Sequence, residues 1–273
     1  MAEISAKEVV ALRQKTGCGM MECKKALVEC NGDVEGALEW LRKAGIAKAA
    51  KRAERSANQG KWAVATNGKT TVLVEGLCET DFVAKTPDFA EFVNLAAQTV
   101  LAYDVDGDCS EKAQADMDAA TKALIGKLGE NMRIRRAIRW TASDNGKIGT
   151  YVHPAQPFAA MVQVEGECSD ELLNNLCLHV TASNPQYICS CEIPQAVIDK
   201  ETEIALAQPE LQGKPENILQ GIIKGKMAKM YKEICLMDQP WIDDEKSCLA
   251  KVAPGLKVVR FVRWLAGENQ GEN

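Results

Sequence analysis

The chain has no apolar run near the ~20 residues that cross a bilayer; stretches such as Phe158 to Val162 fall far short. It has eleven cysteines but no Cys-x-x-Cys pair, and only two histidines to complete a metal site. With the known zinc spacings absent, Cys189-x-Cys191 is a poor ligand pair and no metal is expected. No charge of one sign dominates: 33 basic residues against 38 acidic give a net charge of −5. That balance does not suggest a nucleic-acid coat protein, though it leaves room for a local basic patch. The start, Met1 to Glu8, is acidic and lacks the basic start and apolar core of a secretory signal. A cytoplasmic protein is expected, with its thiols kept reduced.

What is present reads as a globular chain of one large or two smaller domains: 273 residues, 46% apolar and 26% charged. Ser5-Ala6-Lys7-Glu8 is a capping box for a first helix that Gly17 stops. A second helix places Met20, Cys23, Leu27 and Cys30 on one face and ends at Asn31-Gly32. Asp33 caps a third, with Val34, Ala37, Leu38 and Leu41 at i, i+3, i+4 and i+7, and Gly45 ends it. Three short helices are too small a body for chemistry and suggest docking. In the Gly19-Met20-Met21 loop, either both methionines pack or Met21 stays out as adaptable contact surface. From Arg42 to Arg55, six basic residues stand against one acidic, Glu54, which reads as a solvated helical linker.

The periodicity then becomes extended. Residues 61–66 and 70–78 form a hairpin about Asn67-Gly68-Lys69, and Thr86-Pro87 opens a helix burying Phe89, Phe92, Val93, Ala96 and Val100. A helix over Ser110 to Leu128 leads to a strand at 132–140, with Met132, Ile134, Ile138 and Trp140 on one face and Arg133, Arg135 and Arg139 on the other. Arg136 breaks this alternation and marks an edge or a bulge. Strands at 147–152 and 158–164, then a helix with Leu173, Leu176, Cys177 and Val180 inward, repeat the plan, and Val164-Glu165-Gly166-Glu167-Cys168 echoes Val74-Glu75-Gly76-Leu77-Cys78. An excursion follows. Helices over Ile193 to Ala207 and Pro215 to Met237 fold back as a hairpin, with Ile223, Met227, Met230, Tyr231 and Ile234 as one stripe and Lys224, Lys226, Lys229 and Lys232 opposite. Leu256 to Leu265 returns as a strand. The fold class is α+β: a duplicated core of antiparallel strands with packed helices.

The first copy carries an insertion between strand and helix, Cys78 to Pro87, that the second lacks, and function is expected there. Phe82 lies on this connecting loop. By residue type alone it is folded back onto the core or presented to a partner, with the first reading favoured.

The insertion, Thr80-Asp81-Phe82-Val83-Ala84-Lys85, resembles the bacterial elongation factor Ts family, as do several other blocks. These are Leu12-Arg13 with Thr16-Gly17, Gly19-Met20-Met21-Glu22-Cys23-Lys24-Lys25-Ala26-Leu27, Gly129-Glu130-Asn131 with Ile134-Arg135-Arg136, and Tyr151 with His153. The likeness runs through nearly the whole chain, in order. It implies a translation factor, not an enzyme and without a cofactor of its own, that binds elongation factor Tu in its GDP-bound and nucleotide-free forms. Phe82 would enter a cleft between two helices of the partner's nucleotide domain and disturb the magnesium and phosphate site that holds GDP. Asp81 would act as a polar lever, with Thr80 and Val83 shaping the loop. Leu12, Met20, Met21 and Lys24 would dock, His153 would reach the phosphate-loop side, and Leu236 and Met237 would approach another domain. The resemblance also implies that the three helices are UBA-like and that the hairpin is a coiled-coil arm. The expected boundaries are a docking module at 1–45, a basic linker at 46–60, core unit one at 61–140, core unit two at 141–192 and 238–265, the arm at 193–237 and a tail at 266–273.

The tail departs from the pattern, since some members carry a further helix that touches the partner. Pro154 and the cysteines at 189–191 are local variations. No contact with DNA or a membrane is implied, and RNA contact is not favoured. Two rivals remain: an RNA-binding protein or other adaptor using Arg133, Arg135, Arg139 and the 42–55 run, and a thiol hydrolase using His153 or His179, for which no activated neighbourhood is present.

Overall fold

In the computed structural model, which describes residues 4–155, 157–211 and 214–268, helix α1 (Ala6–Thr16) starts at Ser5 with both capping-box bonds in place. The Glu8 N–H donates to Ser5 Oγ at 3.3 Å and the Ser5 N–H to Glu8 Oε2 at 2.8 Å. Gly17 ends it in the left-handed region at φ 67°. Helix α2 (Met20–Glu29) and helix α3 (Val34–Arg52), capped by Asp33, complete a cluster around Val9, Leu12, Cys23, Ala26, Leu27, Ala37 and Leu41. Two expectations fail here. Met20 is not on the buried face, and Gly45 does not end α3. The helix runs on to Arg52, and its Gly45 faces Gly126, where a Cβ would stand 3.2 Å from the Gly45 Cα, so the glycine at 126 lets the two segments approach closely. The basic stretch at 46–60 is therefore not a free linker. Ala49 is buried in the core of the first unit, Lys48 pairs with Glu22, and Arg52 Nη1 donates to the Ile125 carbonyl at 3.3 Å.

The first unit runs to Thr141 and takes in residues 265–268. Strands β1 (Gln59–Thr66) and β2 (Thr70–Cys78) form the expected antiparallel hairpin. A single turn, α4 (Asp81–Ala84), precedes α5 (Pro87–Leu101), and a short β3 (Gly107–Asp108) precedes α6 (Ser110–Leu128) and β4 (Met132–Thr141). The sheet order is β1-β2-β4-β3. Helices α5 and α6 cover one face, burying Phe89, Phe92, Val93, Ala96, Val100, Ala113 and Met117 against Val72 and Val74.

Register overturns one expectation in β4. Ile134 stands opposite Gly76 and Arg136 opposite Glu75, so Arg135 is an extra residue in a bulge. One inserted residue flips the phase of everything beyond it. Met132 and Ile134 face the helices with Cys78 and Gly76, whereas Ile138 and Trp140 share the opposite face with Leu73 and Thr71. On that opposite face Glu75 is fully buried. Its carboxylate accepts from Arg136 Nε at 2.6 Å, Arg135 Nη1 at 3.3 Å and the Gly267 N–H at 3.0 Å. Arg136 also pairs with Glu268 at 2.8 Å. Residues 265–268 are thus bonded to the first unit; of the expected tail, residues 269–273 lie outside the described residues.

The second unit runs from Ala142 to Trp264. Strands β5 (Gly146–Val152), β6 (Phe158–Glu165) and β9 (Lys257–Leu265) form a sheet in the order β5-β6-β9, covered by α7 (Asp170–Ser183). Leu173, Leu176, Cys177 and Val180 are buried as their spacing predicts. Between α7 and β9 come α8 (Gln195–Leu206), α9 (Glu216–Ile234), a small ribbon of β7 (Pro240–Trp241) with β8 (Asp244–Cys248), and α10 (Leu249–Val252). Residues 212–213 of the segment joining α8 to α9 lie outside the described residues. Lys226 is not on the outer side of α9; its ammonium donates to Gln208 Oε1 at 2.5 Å. Cys189 and Cys191 form a disulfide, against the expectation of free thiols. A turn around Ser190 brings their Cα atoms to 5.3 Å, within the reach of such a bond.

Candidate functional site

Phe82 sits on α4, a helical turn rather than the expected loop, with 79% of its surface exposed. Thr80 caps the turn: its hydroxyl accepts from the Val83 N–H at 3.3 Å, and the Lys85 N–H donates to the Asp81 carbonyl at 3.2 Å. Val83 and Ala84 lean on the core of the first unit. At about 100° per residue, turning those two inward swings Phe82 outward. Leaving a phenylalanine in water forgoes roughly 1.5–3 kcal/mol of burial, which folding alone does not explain. Asp81 pairs with Lys85 at 2.6 Å, and that ion pair holds its carboxyl below the ordinary aspartate value.

The turn is fastened by residues beyond the insertion. Both oxygens of Glu130 accept from Thr80, Oε1 from the hydroxyl at 2.6 Å and Oε2 from the N–H at 3.0 Å. Next to it the Asn131 N–H donates to Glu79 Oε1 at 2.6 Å, and the Asn131 amide donates to the Arg55 carbonyl at 2.6 Å. Just after the turn, Asp88 pairs with Lys127 at 2.5 Å. The Lys127 stem lies against Gly17, where a Cβ would collide with it. Residues 127–131 thus touch both the Phe82 turn and the loop leading to Met20 and Met21. Gly129-Glu130-Asn131 stood out in the sequence as a matching block, but nothing there gave it a task.

Met21 is 74% exposed, and Met20 is 39% exposed. Lys24, one turn on from Met20 and Met21, is exposed too, as is Val28. Two expected contact residues fall away. Leu12 is buried among the three helices and Leu236 in the core of the second unit, so neither side chain is free to touch a partner. Spacing could not reveal this, because apolar residues beside a motif serve its core as often as its surface. Met237 is half-buried against that same core, and its N–H donates to the Ile188 carbonyl at 3.0 Å. His153 is half-buried at the end of β5, its Nδ1 accepting from the Ala155 N–H at 3.1 Å and its ring edge-on to Tyr151 at 6.2 Å.

Arg135 is spent on Glu75, Arg139 donates to the Val105 carbonyl at 2.8 Å, and Arg133 is exposed. Burial pushes the thiols of Cys78 and Cys177 up to about 12, the reverse of what a nucleophile needs. His179 is fully buried, its Nε2 on Gln239 Oε1 at 3.1 Å and its ring stacked on Trp241.

A family model described as Elongation factor TS matches residues 79–268. The chain is 42% identical to an elongation factor Ts of Thioalkalivibrio sulfidiphilus, over 97% of this chain and 92% of that protein. It is 39% identical to those of Clostridium botulinum strain Alaska E43, over 97% and 93%, and Nostoc sp. strain PCC 7120, over 98% and 94%.

Proposed function

The chain belongs to the elongation factor Ts family, and from that premise we propose how its residues act. It is a translation elongation factor, the guanine nucleotide exchange factor of elongation factor Tu. In our reading it binds the GDP-bound partner and uses Phe82 as a wedge that disturbs the magnesium and phosphate site, so that GDP leaves and GTP loads. It makes and breaks no covalent bond. Exchange requires tighter binding to the nucleotide-free partner than to the GDP-bound one, and linkage makes each ligand weaken the other equally. The factor therefore needs contacts that compete with the nucleotide as well as contacts that hold. The observation that carries this division is the pair of outward apolar groups, Phe82 on a turn fastened at both ends and Met21 on a helix face with Lys24. Phe82 supplies the competing contact, with Asp81 as the polar lever and Thr80 and Val83 setting the turn. Met20, Met21 and Lys24 hold, and His153 and Met237 add contacts from the second unit.

The finer architecture belongs to the same reading. The first three helices are a UBA-like docking bundle, the two strand–strand–helix units are a duplication, and α8 with α9 is the coiled-coil arm. Among the described residues no helix is long and apolar enough to span a membrane, and we place the protein in the cytoplasm. The test is to mix the chain with elongation factor Tu carrying a fluorescent GDP and follow release by stopped flow. Release should accelerate with factor concentration to a plateau and slow when magnesium is raised. Release no faster than from the partner alone would refute the function.

A further inference from the structure

We propose that Glu130 is the positioning residue that sets the direction of Phe82; the proposal rests on the reading of Phe82 as the wedge. A helix of four residues does not stabilise itself, because the first turn fixes several dihedrals for little hydrogen bonding in return. Its orientation must come from what holds its ends. At the leading end the cap residue, Thr80, has two donors, and Glu130 takes both, one on each carboxylate oxygen. The Thr80 oxygen that donates to Glu130 is the same one that accepts from the Val83 N–H, so Glu130 fixes the cap geometry itself. The Thr80 carbonyl is engaged as well, accepting from the Cys78 thiol at 3.1 Å. Glu130 makes this grip from the α6–β4 connection, beside Asn131, which is tied to Glu79 and to the Arg55 carbonyl. The support is thus the α6–β4 connection of the first unit, and the wedge is aimed by it.

With both oxygens occupied by Thr80, Glu130 acts through the cap rather than on the partner. A glutamine at 130 keeps one acceptor and turns an NH2 group toward the second donor, so one Thr80 donor loses its partner. The turn then stays in place through Val83 and Ala84 but loses its fixed entry angle.

The test is GDP release from elongation factor Tu at a series of factor concentrations, using the full chain, Glu130→Gln, Phe82→Ala and the double variant. Glu130→Gln should lower the plateau rate about five- to tenfold, the scale of one lost hydrogen bond, while the half-saturating concentration stays within about twofold of the parent. In the Phe82→Ala background it should change nothing further, since its effect passes through that ring. An equal fall in both backgrounds, or a change confined to the half-saturating concentration, would overturn the proposal. A parent-like plateau for Phe82→Ala would refute the wedge reading instead, and Glu130 with it. Should Glu130→Gln fail to fold by circular dichroism, Thr80→Val removes the hydroxyl and spares the carboxylate, and the same pattern is expected of it. Thr80→Ser, which keeps both donors, should lie nearer the parent rate than Thr80→Val.

Discussion

At the end of β2 the chain takes residues 79–86 to reach α5; at the end of β6 it takes only 166–169 to reach α7. The two handovers share their chemistry. Each helix begins at a hydroxyl cap, with the Thr86 oxygen accepting from the Phe89 N–H at 3.3 Å and the Ser169 oxygen from the Leu172 N–H at 3.1 Å. Each strand carries the same Val-Glu-Gly letters near its end. Yet the longer junction holds an extra helical turn with an exposed phenylalanine, and the shorter holds none. The glutamates differ as well: Glu75 is sealed between Arg135 and Arg136, while Glu165 is partly exposed and held below the ordinary glutamate value by Lys257 at 2.8 Å. A shared local frame supports the fold in both places, and what is inserted or buried around it decides the use.

The sharpest way to break that comparison is to remove the two glutamates in turn. Glu75→Ala leaves the nearly buried Arg135 without its carboxylate and Arg136 with Glu268 alone, and should cost about 3 kcal/mol, whereas Glu165→Ala, at a solvent-screened pair, should cost far less. Urea titrations of both variants decide it; equal losses would mean that burial around Glu75 is not what distinguishes the junctions. Next in size is Phe82→Ala. It should melt like the parent, since the ring contributes little to the core, while the plateau of GDP release falls tenfold or more, as for a ~2 kcal/mol interface anchor. Met21→Ala should raise the half-saturating concentration a few-fold and spare the plateau, because a holding contact binds both states of the partner alike. Loss of plateau in this variant would erase the division between wedge and dock.

The smallest effect concerns pH in the second unit. Burial holds the His179 imidazole below its ordinary value of 6.5. The unfolded chain therefore takes up the proton first as pH falls, so this stability is complete above 6.5 and drains away as pH drops toward the folded value. Thermal melts between pH 7.5 and 5.5 should show a decline that His179→Gln flattens. An unchanged slope in that variant would place the acid sensitivity elsewhere.

Much of the frame was legible in the chain alone. The capping box at Ser5, the Asn67-Gly68 hairpin, the Thr86-Pro87 helix start and the inward faces of α5 and α7 all follow from periodicity and end chemistry, which act over a few residues. The Phe82 insertion could be singled out, but not its helical turn or the Glu130 grip, which joins residues 50 apart in sequence. Leu12 and Leu236 read as contacts because they lie beside contact motifs, and only packing shows that their surfaces are spent.

What the sequence determined by itself is whatever short-range forces settle: where helices and strands begin, which faces are apolar, and where one unit carries residues the other lacks. The tertiary structure decided the rest, because it depends on groups brought together from distant positions. Where a lone glycine reads as a stop, α3 continues through Gly45, which packs against Gly126. One extra residue at Arg135 reversed the faces of Ile138 and Trp140 and brought two arginines to Glu75. The same three letters, Val-Glu-Gly, therefore bury a carboxylate in one unit and leave it in contact with water in the other, since desolvation and pairing are set by neighbours in space rather than along the chain.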